Sequence, residues 1–114
     1  MDAEKRNAER LAILGDLHAE IMVFQQIHVT EISRIGVTVD THFPMHLDSL
    51  HDLRLKLGDT SIVLKARVAH SHINDVDQIK VVYRTGLEFV APSPAALAVI
   101  VEFLDTLNAS RMRT

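Results

Sequence analysis

Residues Ser61 to Ile73 read SIVLKARVAHSHI, and Ile79 to Val90 read IKVVYRTGLEFV, with Asn74 to Gln78 (NDVDQ) between them. Apolar and polar residues alternate through the first segment. An extended strand points successive side chains to opposite faces, so Ile62, Leu64, Ala66, Val68 and His70 share one side. The polar break has the length and chemistry of a hairpin loop. The second segment is then the returning strand, and Gly86 inside it marks a bulge or a barrel corner.

Working upstream, the strand signal continues. Asp52 to Leu57 (DLRLKL) alternates, with the leucines inward and Asp52, Arg54 and Lys56 outward. Gly58-Asp59 is a turn signal between this run and the next. Gly36 to Thr41 (GVTVDT) is β-branched and alternating. Gln26 to Ser33 (QIHVTEIS) places Ile27, Val29 and Glu31 on one face and His28, Thr30 and Ile32 on the other. Glu20 to Phe24 is a short apolar run, and His42 to His51, which holds a proline, reads as a connecting loop. Downstream, Ser93 suits an N-cap and Pro94 the first helical position. Leu97, Ile100, Val101, Leu104 and Leu107 recur at helical spacing, with Asn108 as a stop and the RMRT end as a loose tail. About six strands followed by one amphipathic helix predict a mainly β fold, a small closed or nearly closed antiparallel barrel. The helix stripe serves either intramolecular packing or a homodimer. Residues 1–16 form an arm, 17–108 the barrel plus helix, and 109–114 the tail.

Composition narrows the function. With 114 residues, 47% of them hydrophobic, the chain has enough apolar material for one unstapled core. It has no cysteine, so it carries neither a disulfide framework nor a thiolate metal site, which fits a reducing, cytoplasmic setting. The N-terminus is charged and has no long apolar run, so it is not read as a secretory signal, and no stretch reaches bilayer-spanning length. A net charge of −3 argues against a nucleic-acid polymer as partner. A small anionic ligand needs only a local arginine cluster.

Two motifs supply such a site. Arg6-Asn7-Ala8-Glu9-Arg10 is an R-x-x-x-R spacing. In a helix the two guanidinium groups share a face; in an extended arm they close on a ligand from two sides. Guanidinium forks bind phosphate and the O6/N7 edge of guanine in a bidentate way. The plainer reading is a solvated helix. The second motif is Glu31-Ile32-Ser33-Arg34-Ile35-Gly36, at the junction of two strands. Glu31 offers a carboxylate to guanine N–H groups, Ser33 a hydroxyl, and Gly36 a backbone that lets a phosphate come close. The plainer reading is a hairpin turn. Twenty residues lie between Arg10 and Glu31, room for one strand pair that folds the arm back over the patch.

In these motifs the chain resembles the PilZ domain family, whose members carry R-x-x-x-R in an N-terminal arm and [D/N]-x-S-x-x-G about twenty residues later. Lys65-Ala66-Arg67-Val68 and Tyr83-Arg84-Thr85-Gly86-Leu87-Glu88-Phe89 stand where the family has its later strand signatures. The resemblance spans roughly Arg6 to Leu107. It implies a six-stranded antiparallel barrel with a C-terminal helix and a cyclic di-GMP receptor in bacterial signalling, without a cofactor. Arg6 and Arg10 would grip guanine edges and phosphates, and Ser33 and Gly36 would line the floor. Glu31 stands at the Asp/Asn position, one methylene longer, and Ile35 stands where the family often has glycine or a small residue. The alternative implied by these departures is a PilZ-like interaction module without nucleotide, docking on a motility or signalling protein.

Catalysis has little support. There is no G-x-S-x-G elbow and no G-x-x-x-x-G-K loop, and Ser33 has no His-Asp pair by motif. His70 and His72 at i, i+2 and His46 and His51 about a loop have no third ligand at a defined spacing, so no metal site is assigned. They read as surface or half-buried imidazoles; His70 stacking on a bound base is the other reading. Asp40, Asp48, Asp52 and Asp59 fall near turns, where aspartate usually serves the backbone.

Overall fold

The computed structural model describes residues 8–21, 25–76 and 80–112. Its strands are β1 (Leu11–Ala12), β2 (His18–Ile21), β3 (Gln25–Ile32), β4 (Gly36–Thr41), β5 (Leu50–Leu57), β6 (Thr60–Val76) and β7 (Val81–Val90), followed by helix α1 (Pro94–Met112). All pairings are antiparallel, in the order β3-β2-β5-β6-β7-β4, and β4 returns to β3 to close a six-stranded barrel. The two-residue β1 adds to the free end of β3, pairing Leu11 with Ile32 and Ala12 with Glu31. Closure leaves no long exposed edge, which is how small antiparallel sheets avoid templating other chains.

The alternation of β5 holds: Leu53, Leu55 and Leu57 are buried and their neighbours are not. With Ile21, Val29, Ile32, Val39, Ala66, Val68 and Leu87 they fill the barrel. Two strands break their expected pattern. Val29 pairs with Val39 and Glu31 with Thr38, so Thr30 is an extra residue in β3, a β-bulge. Val68 pairs with Leu87 and His70 with Gly86, so Ala69 is likewise extra in β6. Each bulge shifts the side-chain parity by one. Glu31 therefore leaves the face of Ile27 and Val29, and Ile32 takes the inward place. His70 leaves the face of Val68 and turns outward.

Three further expectations change. The inward stripe of α1 is Ala96, Ile100 and Leu104, while Leu97 lies on the outer side at 37% exposure. The helix continues past Asn108 to Met112 because Arg111 is anchored there, its Nη2 donating to the Ala12 carbonyl at 2.6 Å. Asp40 and Asp52 form cross-strand ion pairs with Arg84 and Lys65 rather than capping turns, and Asp48, at φ 65° in a turn, pairs with Arg67. Among the described residues no helix is long and apolar enough to cross a membrane.

The start of α1 is as read from sequence. The Ala96 N–H donates to Ser93 Oγ at 3.1 Å, satisfying one of the orphan amides of the first turn. Ser93→Ala is expected to lower unfolding free energy by about 1 kcal/mol, read as a lower urea midpoint at unchanged slope; an unchanged midpoint would show that the cap contributes nothing.

A second expectation concerns acid. His51 Nε2 lies 2.8 Å from Ser49 Oγ, whose own proton goes to the His46 carbonyl at 2.6 Å. Nε2–H must then donate to the serine. Partial burial holds the His51 imidazole below its ordinary pKa. As pH falls through the ordinary imidazole range, the unfolded chain takes up its proton first, so the stability this residue contributes is present above that range and lost below it. His51→Gln is expected to lose less melting temperature between pH 7.5 and pH 5 than the wild-type chain; an equal loss would assign the acid sensitivity elsewhere.

Candidate functional site

The turn between β3 and β4 is built around Ser33. Its N–H donates to the Gly36 carbonyl at 2.9 Å, and its hydroxyl accepts the Ile35 N–H at 3.2 Å. The side chain is 2% exposed, so the hydroxyl holds the turn as well as lining the space beside it. The turn is fastened to β7 by the Phe89 N–H, which donates to the Ile35 carbonyl at 2.8 Å. Gly36 faces Glu88 in the ladder. An added Cβ there would run into the Leu87 carbonyl oxygen and lie 3.1 Å from its carbon. Only a residue without a side chain lets β4 and β7 approach this closely.

The arm comes back to this turn. Ile13 N–H donates to the Thr30 carbonyl at 3.1 Å, and the β1 pairing sets Ala12 beside Glu31. Arg10, two residues earlier, lines the same cleft as Glu31, Ser33, Ile35 and Gly36. Four of the five residues singled out from sequence thus surround one cleft of about 390 Å³, within the size range of ligand sites. Arg6 lies outside the described residues.

Other residues of the cleft were not singled out as site residues. Thr38, Arg67, Ala69, His70, Gly86 and Glu88 complete its wall and floor. The ladder explains their meeting. Glu31, Thr38, Gly86 and His70 are successive partners across β3, β4, β7 and β6. The next row is His28, Asp40, Arg84 and His72. Both bulges are needed to bring Glu31 and His70 into one outward row. The signal for Arg67 and Gly86 was present in the strand signatures quoted above; His70 is the imidazole read there as a surface or base-stacking ring, and the bulge, not alternation, turns it outward.

Charge in the cleft is closely balanced. Arg67 donates to Asp48 at 2.8 Å and to Glu88 at 3.1 Å. Arg84 holds both oxygens of Asp40, at 2.9 and 3.1 Å. This bidentate hydrogen bond raises the Arg84 pKa, with Asp40's charge and that of Glu31 adding to it, so Glu31 acts within reach of a second cation. No group of three or more His, Asp or Glu among the described residues is arranged to hold a metal ion.

No family model matches the chain, and no curated relative does. Solved structures do. MrkH of K. pneumoniae in complex with c-di-GMP superposes with a TM-score of 0.79 at 17% identity, over 95% of this chain and 54% of MrkH. The PilZ domain of Escherichia coli YcgR with c-di-GMP gives 0.75 at 14% identity, over 96% of this chain and 95% of that domain. The Bacillus subtilis inhibitor of motility MotI/DgrA gives 0.73 at 18% identity, over 91% of this chain and 51% of that protein. The chain spans about half the length of MrkH and MotI. At these identities the likeness establishes a PilZ-like fold.

Proposed function

We propose that this PilZ-like barrel is a cytoplasmic, non-enzymatic receptor domain for cyclic di-GMP. The observation that carries the reading is the return of the arm: β1 pairs with β3, and Arg10 thereby faces the Glu31, Ser33 and Gly36 patch across one cleft. MrkH and the YcgR domain, which share the fold, were solved with c-di-GMP. In this reading Arg10, with Arg6 ahead of it, supplies guanidinium forks to guanine edges and phosphates. Gly36 lets β4 close on β7 and so shapes the floor on which the phosphates would sit. Glu31 accepts guanine N–H groups. Ser33 acts chiefly by holding the turn. Ligand entry would close the arm ahead of β1 over the cleft and alter a surface that a partner protein reads, a segment-ordering switch. Isothermal titration with cyclic di-GMP tests this: saturable heat at micromolar ligand is expected, and its absence at high micromolar concentration would end the reading.

A second reading has its own observation. The Ser33 hydroxyl is already engaged in the turn, and Glu31 and Glu88 place two carboxylates on the cleft. A module that docks on a motility or signalling partner without nucleotide fits that arrangement. Equal partner capture with and without cyclic di-GMP, unchanged by Arg10→Ala, would favour it.

A further inference from the structure

His70 occupies an unusual place on the cleft floor. The Ala69 bulge turns it outward opposite Gly86. An added Cβ at Gly86 would collide with the imidazole Nε2 and lie 2.7 Å from both Cδ2 and Cε1. The ring therefore rests on the bare backbone of β7, exposed on the cleft that Arg10 also lines.

The charges around it give that position its consequence. On the cleft wall, Arg10 from the arm and Arg67 from β6 stand against Glu31 from β3 and Glu88 from β7, two cations against two anions. Arg84 of β7 is taken by Asp40 of β4, and Arg67 is shared between Asp48 and Glu88. On its own strand His70 meets His72, the rings stacked with centroids 6.3 Å apart at 21°. Arg67 is already engaged by two carboxylates, so protonation of the His70 imidazole would add a positive charge to a wall where cations and anions are nearly matched. Imidazole is the side chain that changes charge in the physiological range.

We propose that His70 makes anion binding in this cleft proton-linked: a phosphodiester ligand seated on the floor binds the imidazolium form and draws a proton onto His70 as it enters. The inference deepens the cyclic di-GMP reading and rests on the cleft being an anion site. An added unit charge a few ångströms from a phosphate in a partly solvated cleft tightens binding by about three- to tenfold.

Calorimetry with cyclic di-GMP at pH 5.5 and 8.0, each in two buffers of different ionisation heat, measures both affinity and protons taken up. The wild-type chain is expected to bind about three- to tenfold more tightly at pH 5.5 than at pH 8.0, a slope that by linkage is the net proton uptake between the two. His70→Gln, confirmed folded by its melt at pH 8.0, is expected to lose that slope, and His72→Gln to keep most of it. A flat wild-type profile, or a His70→Gln variant with the full wild-type slope, overturns the inference. A second measurement dispenses with the nucleotide and the variant: the imidazole NMR titration of His70 with and without inorganic pyrophosphate. The titration midpoint is expected to rise with pyrophosphate. If no cyclic di-GMP heat appears at either pH but pyrophosphate still raises the midpoint, the nucleotide reading fails and the proton linkage stands. If pyrophosphate leaves the midpoint unmoved and no pH slope is seen, the linkage fails.

Discussion

Gly36→Ala is expected to cost about 3 kcal/mol of unfolding free energy, the upper end of overpacking penalties, and to abolish ligand binding with it. The new methyl group would meet the Leu87 carbonyl oxygen and lie 3.2 Å from Glu88 Cα, both main-chain atoms held in the β4–β7 ladder. A flexible side chain could swing aside; paired backbone cannot without breaking neighbouring hydrogen bonds. The turn would be pushed off β7, loosening the Ile35–Phe89 bond and the Ser33 network that shape the cleft floor. Gly15→Ala is the control, since an added Cβ there meets nothing within 4 Å. Urea unfolding of the two variants decides the matter. A Gly36→Ala midpoint equal to that of Gly15→Ala would mean that β4 can yield at this point and that the close approach is incidental.

Arg10→Ala is expected to do the opposite: leave the barrel intact and remove the ligand. Arg10 is exposed and makes no contribution to the core, so its truncation should change stability by no more than about 0.5 kcal/mol. Its role in the proposed function depends on position alone, because the β1 pairing begins one residue after it and Arg10 lines the cleft with Glu31, Gly86 and His70. Loss of a bidentate guanidinium contact to a guanine edge or phosphate is expected to weaken cyclic di-GMP binding about 30- to 100-fold. Arg10→Lys keeps the charge without the fork, and is expected to fall between the two. Wild-type affinity in Arg10→Ala would show that the arm does not close on the ligand, and would transfer weight to the docking-module reading. A melt that falls as far as binding would instead assign Arg10 a structural role.

The barrel was largely legible from sequence because each strand carries its own alternation and each turn its own breaker. DLRLKL needs no partner to declare which residues face inward, and Ser93-Pro94 announces a helix start by local chemistry alone. The site was legible as a list of residues more than as an arrangement. Arg10, Glu31, Ser33 and Gly36 were named from their spacing, and the structure sets them around one cleft. Arg67 and Glu88 were seen only as strand signatures, since their part in the cleft depends on which strands become neighbours. On α1 the apolar residues run nearly all round; Ile100 and Leu104 face inward as their spacing predicts, while the packing against β5 and β6 takes Ala96 and leaves Leu97 outside.

What the amino-acid order determined by itself was the barrel strands, though not the short β1 inside the arm, their sequence along the chain, the terminal helix and the residue types available for an anion. What only the tertiary structure decided was which way two of those residues point. Alternation places Glu31 with Val29 and His70 with Val68, yet single extra residues at Thr30 and Ala69 reverse both. A bulge is a property of the pairing between two strands, arising where the ladder must bend to close the barrel, and a period-2 pattern within one strand holds no record of it. Those two one-residue slips carry Glu31 and His70 out of the barrel interior and onto the same outer row.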